Sequence, residues 1–373
     1  MSRTDIFEAT VEHFLAPIMH HMKDRNVSEI LINAPDEIYV EKEGRLTKTD
    51  ATFESEAALR AAVNNVMQYT GRRVTEEHPL IDSRLPDGSR VHVILAPLCR
   101  GGTCMTIRKR AKMLLDAQSL LRLGSWTPEA MDYLRICVLA EKNLLVAGGT
   151  SSGKTCLLNV LSGFVPDHQR IVTIEDSAEL NLRKGHLVSL ESRPPDRWGR
   201  GEVTIRDLFR SSLRLRPDRI IIGEVRGAEA LDMIQAMTSG HAGSMSTLHA
   251  NTALDAMNRL ETLAMMSKLE LPPHALRSQI TSAIDVIVQM ARFSDGRRGL
   301  TEIAEVLPLD ADGHYRVQQM FEYVLAPARG EDDRSAGSLL PTGKTSAFAD
   351  ESNVRLLRPQ WGSAAGLLDA VSE

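Results

Sequence analysis

Gly148-Gly-Thr-Ser-Ser-Gly-Lys-Thr155 is the stretch whose reading decides the fold. It satisfies the pattern Gly-x-x-x-x-Gly-Lys-[Ser/Thr] of a phosphate-binding loop. An apolar strand pattern, Leu144-Leu-Val-Ala147, precedes it, and an apolar helix pattern, Cys156-Leu-Leu-Asn-Val-Leu161, follows it. The glycines let backbone N–H groups curl around phosphate oxygens with no Cβ in the way. The helix beginning near Gly153 aims the positive end of its dipole at the same anion. Lys154 is expected to reach the outer phosphates and Thr155 to ligate Mg²⁺. The nucleotide-binding candidates are therefore Gly148, Gly149, Thr150, Ser151, Ser152, Gly153, Lys154, Thr155 and Cys156. Cys156 lies in the first turn of the helix, where a thiol's pKa can be lowered; a small buried apolar residue is the plainer reading. A second Gly-Lys-Thr, at 343–345, has Ser338 in place of the leading glycine and no apolar strand before it, so it reads as a loop.

Outward from the loop, strand and helix patterns alternate. Strands are expected at 143–147, 170–174, 219–225, 245–248, 285–290 and 300–307, and helices at 155–164 and 229–238. Such alternation predicts an α/β fold with a mostly parallel sheet covered on both faces. Residues 1–112 read instead as a small α+β domain. It has a helix over 5–24, a hairpin of 28–33 with 37–41, a helix to about 70 capped by Ser55, a second pair over 82–95 turning at Pro86-Asp-Gly88, and a strand at 103–108. The nucleotide domain spans 113–325. The segment 326–373 reads as a variable tail, and its stretch 326–346, rich in Gly, Asp, Arg and Ser, reads as loops or partial disorder.

A length of 373 residues fits two domains and a tail. A net charge of −5 argues against nucleic acid as a dedicated partner. Cys99, Cys104, Cys137 and Cys156 do not have zinc-site spacing, and four thiols in a chain of this size suit a reducing compartment. Asp5, Glu8 and Glu12 make the first residues a poor signal peptide, and no run of 18 apolar residues is present. A cytoplasmic location follows as the expectation, with peripheral attachment to a membrane complex left open.

Hydrolysis of a nucleotide needs a group to orient and deprotonate water. Arg219-Ile-Ile-Ile-Gly-Glu-Val-Arg226 is an apolar strand ending in an acid, and such a carboxylate faces the ligand crevice of a parallel sheet. Glu224 is thus the candidate general base, although the position before it, where a Mg²⁺-holding acid is usual, is Gly223. Ile174-Glu-Asp-Ser-Ala-Glu179 supplies Glu175 and Glu179, either as metal helpers or as an acidic helix start. His241 and His249, in Gly240-His-Ala-Gly-Ser-Met-Ser-Thr-Leu-His-Ala-Asn251, are candidates for sensing a γ-phosphate. Arg84 and Arg90 are candidate guanidinium donors to the same phosphate.

Taken in order, these four stretches resemble the Walker A, Asp-box, Walker B and His-box motifs of the type II/IV secretion-system ATPases. The resemblance spans about residues 25–325. It implies a RecA-like P-loop NTPase domain that uses ATP and Mg²⁺. By this carry-over Glu224 is the catalytic glutamate, with Lys154, Glu175, Glu179, His241 and His249 beside it. Thr155, Glu175 and Glu224 are the metal candidates. The glycine at 223 is shared with that family. Val27–Glu41 and Asp82–His92 look like the CpaF branch, which drives tight-adherence (Tad/Flp) pilus assembly. That implies a homo-hexamer with arginines donated across a cleft, docked on a polytopic inner-membrane platform protein. Ser151, Cys156, Thr238 and Ala242 depart from the branch's usual Gly, Thr, Asn and Asp. The tetracysteine zinc motif of related branches is absent.

Overall fold

The computed structural model describes residues 10–42, 44–69, 73–109, 115–196, 199–267, 269, 271–325 and 337–368. It forms two compact units, Met1–Leu114 and Leu115–Glu373.

The first unit is a six-stranded antiparallel sheet. Its strands are β1 (Val27–Ala34), β2 (Glu37–Lys42), β3 (Arg45–Lys48), β4 (Leu80–Arg84), β5 (Arg90–Ile94) and β6 (Cys104–Arg108), in the order β3-β2-β1-β6-β5-β4. Alternate residues such as Ile30, Ile32, Ile38, Val40, Val91 and Val93 point into one core. The helix Glu56–Tyr69 contributes Leu59, Ala62, Val63, Val66 and Met67 to that core at helical spacing. Ser55 caps this helix as expected, its hydroxyl accepting from Ala58 N at 3.1 Å. The single helix expected over 5–24 is corrected. Pro17 lacks an amide hydrogen and its ring crowds the preceding turn. Residues 10–14 are helical as expected, and the chain then breaks into a short 3-10 turn, Ala16–Ile18, followed by a separate helix, Met19–Lys23. Residues 5–9 of that expectation lie outside the described residues.

The second unit is an α/β sandwich on a nine-stranded sheet. Its strands are β7 (Leu144–Gly148), β8 (Ile171–Glu175), β9 (Leu187–Glu191), β10 (Arg219–Ile222), β11 (Met245–Leu248), β12 (Val286–Arg292), β13 (Arg298–Leu307), β14 (Arg316–Leu325) and β15 (Gly337–Pro341). The order is β15-β14-β13-β12-β7-β11-β10-β8-β9. From β12 to β9 all neighbours are parallel, and β12 to β15 are antiparallel. The four strands β7, β8, β10 and β11 are buried throughout, so they lack the alternation of a half-exposed strand, although Thr173, Arg219, Ser246 and Thr247 are buried polar residues within them. Along β7 the side chains alternate between the two cores. Leu144 and Val146 join the helices Pro128–Leu139 and Lys154–Ser162. Leu145 and Ala147 join Glu229–Thr238, Ala253–Met265 and Pro273–Ala283.

The expected loops and variable tail at the C-terminal end are also corrected for the described residues. β15 extends the sheet, and Phe348, Val354, Trp361, Leu367 and Leu368 are buried in the same core as the helix Lys154–Ser162. A buried carboxylate fastens this segment to β13. Glu305 accepts from Tyr133 Oη at 2.5 Å, from Ser346 Oγ at 2.5 Å and from Ala347 N at 2.7 Å. Residues 326–336 of that expectation are outside the described residues. Gly343–Thr345 is a loop after β15. Among the described residues no helix is long and apolar enough to cross a membrane.

Candidate functional site

Register decides which sequence candidates meet. Leu248 lies opposite Ala147, Ile222 opposite Ser246, and Ile174 opposite Ile222. The ends of β7, β8, β10 and β11 therefore share one edge of the sheet. The loop 148–155, Glu175, Glu224 and His249 all emerge there, at the edge where parallel sheets bind ligands.

The loop is shaped by close backbone approach. A Cβ on Gly148 would stand 2.5 Å from the carbonyl oxygen of Met290 on β12. Gly153 has φ +98° and opens the helix Lys154–Ser162. Ser151 has φ +56°, a region that costs a side-chain-bearing residue roughly 1–2 kcal/mol. Lys154 is buried, and its ammonium donates to Gly148 O at 3.0 Å and Gly149 O at 2.8 Å. Its third neighbour is His249 Nδ1 at 3.4 Å.

His249 links the lysine to the acid. Its Nε2 is 2.9 Å from Glu224 Oε1. That contact falls within ion-pair distance, yet its geometry is not that of a hydrogen bond, so Oε1 is a buried acceptor without a hydrogen-bond partner. Glu224 Oε2 accepts from Arg226 Nη2 at 2.5 Å. Asp176 and Glu179 join Glu224 in raising the pKa of Arg226, the bond to Glu224 being the largest cause.

Burial, and next the Lys154 charge, hold the His249 pKa below its ordinary 6.5, against the pull of Glu224. The folded imidazole therefore binds its proton less readily than the unfolded one. As pH falls through 6.5 toward the lower folded value, unfolding takes up a proton and stability declines. Thermal melts from about pH 7.5 down to 5 are expected to show this decline, and His249→Asn is expected to reduce it. An identical profile in the variant would remove the assignment.

Glu175 is buried and its Oε1 accepts from the backbone N–H of Glu179 and Leu180, each at 2.9 Å. Its side chain also fills the space beside Gly223: a Cβ there would be 2.9 Å from Glu175 Cγ. The glycine before Glu224 thus has a local steric cause.

Two expectations are revised, those for His241 and for the Cys156 thiol. His241 precedes β11, with its amide on Ala236 O and its carbonyl accepting from Ser244 Oγ at 2.8 Å. Ser244 in turn bonds Asn143, which precedes β7. His241 therefore lies at the sheet edge opposite the loop and does not join His249 within one chain. Burial raises the Cys156 thiol pKa rather than lowering it, in spite of Arg298 nearby. Arg84 and Arg90 belong to the first unit and pair with each other across β4 and β5. Arg108 lies opposite Arg90, and Glu29 opposite Arg108. Like charges placed directly opposite one another oppose pairing, so this arginine row has a cost that the Arg108–Glu29 contact at 3.7 Å partly offsets.

Three residues at the site were not singled out for it from the sequence. Thr247 clasps both sides of Glu224: its hydroxyl donates to Gly223 O at 2.6 Å, and its carbonyl accepts from Val225 N at 2.9 Å. Arg226 holds Glu224, and the only sequence signal for it was its place two positions after the acid. Arg298 donates to Ser151 O at 2.9 Å, with no local signal at all.

Fold and loop together define the P-loop class of nucleotide-binding α/β proteins. The chain belongs to the family described as type II/IV secretion system protein, whose model matches residues 12–319. It is 38% identical over 283 residues to the putative conjugal transfer protein Rv3659c of Mycobacterium tuberculosis, covering 74% of this chain and 80% of that protein. It is 35% identical over 311 residues to the type IV secretion system protein PtlH of Bordetella pertussis, covering 76% and 91%. The fold matches the ATPase DotB of Legionella pneumophila with a TM-score of 0.57 at 21% identity, over 81% of this chain and 82% of that one.

Proposed function

We propose that the chain is a motor ATPase of a secretion-type machine, hydrolysing Mg²⁺-ATP to drive transport or filament assembly. The observation that carries this is the line from Lys154 through His249 to Glu224 at the mouth of the phosphate loop. The buried, unsatisfied Glu224 Oε1 is an acceptor fitted to a water or to a metal-bound water. Loop amides and Lys154 bind and orient the phosphates, Lys154 exchanging its carbonyl partners for phosphate oxygens. Glu224 takes the proton of the attacking water. Arg226 and Thr247 keep that carboxylate in place. His249, held neutral, hydrogen-bonds the reacting phosphate. Mg²⁺ bound here would offset the negative charge of the phosphates. Thr155, Glu175 and Glu224 would be its ligands, with Glu179 in a supporting role. Oε1 of Glu175 already accepts from the backbone at 179 and 180.

At the finer level we propose a cytoplasmic homo-hexamer docked on a polytopic inner-membrane platform protein, with Arg84 and Arg90 as the guanidinium donors. Val27–Glu41 and Asp82–His92 support a Tad/Flp pilus machine. The names of the relatives favour a second reading, a conjugation or type IV secretion ATPase. Deleting the gene and scoring surface filaments, secreted proteins and DNA transfer separates the two. Purified protein that hydrolyses no ATP, even with its membrane partner, overturns the motor.

A further inference from the structure

Ser151 is the non-glycine residue of the phosphate loop that sits in the left-handed region, where glycine is the low-cost choice. Its carbonyl is held from outside the loop. Arg298, the first residue of β13, donates from Nε to Ser151 O at 2.9 Å. The stem of Arg298 runs along the loop, its Cδ 3.5 Å from where a Cβ on Gly153 would lie. Arg298 is itself anchored. It pairs with Arg292 of β12, and its carbonyl accepts from Ser125 Oγ at 2.8 Å. Ser125 O in turn accepts from Leu300 N at 2.8 Å.

The planar trans peptide gives this contact a consequence at the phosphate. Within one peptide unit the C=O and the N–H point in opposite directions. Fixing the Ser151 carbonyl toward Arg298 therefore fixes the Ser152 N–H on the side of the peptide facing away from Arg298. We propose that Arg298 is a positioning residue for the nucleotide: it holds the tip of the phosphate loop in its binding conformation through the Ser151 carbonyl. Arg298 lies 147 residues from the serine it holds, and the loop's sequence pattern does not contain it. The inference rests on the nucleotide-binding reading of that loop and adds the element that stabilises it.

A double-mutant cycle on the full chain tests this. The affinity for a fluorescent ATP analogue is titrated for wild type, R298A, S151G and the double variant. R298A in the wild-type background is expected to weaken binding about tenfold, the effect of a lost charge-assisted hydrogen bond. In the S151G background the same change is expected to weaken it about twofold or less, because glycine enters the left-handed region without the steric cost that Arg298 offsets at Ser151. Equal weakening in both backgrounds overturns the proposal, since Arg298 then acts independently of Ser151. No weakening in either background overturns it as well. If R298A does not fold, R298K takes its place in the cycle, keeping the stem and the charge and losing the Nε–H. Failure of the nucleotide reading looks different: wild type then binds no analogue, whatever residue stands at 298, and both proposals fall together.

Discussion

Glu224→Gln retains nucleotide binding and loses turnover by about a hundred- to ten-thousand-fold, the usual contribution of a positioned general base. The amide is close to isosteric, so Thr247 still clasps both neighbouring peptides. The phosphate loop and Lys154 are also left in place. Two things change. The amide is no base, and the charge that Arg226 pairs with is removed. Turnover measured beside analogue affinity checks the result. A variant that hydrolyses ATP at the wild-type rate would move the base elsewhere, and one that no longer binds would make Glu224 a structural residue.

Gly223→Asp supplies the acid that many nucleotide hydrolases carry at this position and is expected to inactivate. Its Cβ would be 2.9 Å from Glu175 Cγ, and its carboxylate would stand close to a buried one. Overpacking and like-charge proximity together are expected to cost about 3 kcal/mol, lowering the melting temperature by roughly 6–12 °C. Turnover is expected to fall with it, because Glu175 cannot keep both its bonds to the backbone at 179 and 180 and its present position. Melting curves and activity decide the matter. Wild-type values for both would mean that the contact does not shape the site.

Much of this site was legible because its chemistry is local. A loop of eight residues, an apolar strand ending in Glu224 and a strand flanked by histidines each carry their own pattern. What sequence proximity misjudged was the geometry of a strand. His241 and His249 are near neighbours along the chain, yet β11 runs between them and carries them to opposite edges of the sheet. Thr247 and Arg298 were not legible at the site, because their roles arise from pairing between β10 and β11 and from the start of β13. The helix expected over 5–24 overlooked Pro17. The C-terminal segment was misread for a different reason. Its buried residues, Phe348, Val354 and Trp361, are spread thinly among polar ones and follow no period.

That segment bears on how the protein is made. Every motif of the phosphate site has left the ribosome by the time β13 is synthesised. The core beneath the helix Lys154–Ser162 nevertheless stays uncovered until Trp361 and Leu368 have emerged, and Glu305 waits for Ser346 and Ala347 to satisfy its carboxylate. At roughly 5–20 residues per second of synthesis, the nucleotide site is fully encoded seconds before it has a closed core. The order of translation thus makes residues 346–368, and not the catalytic motifs, the step that closes this core.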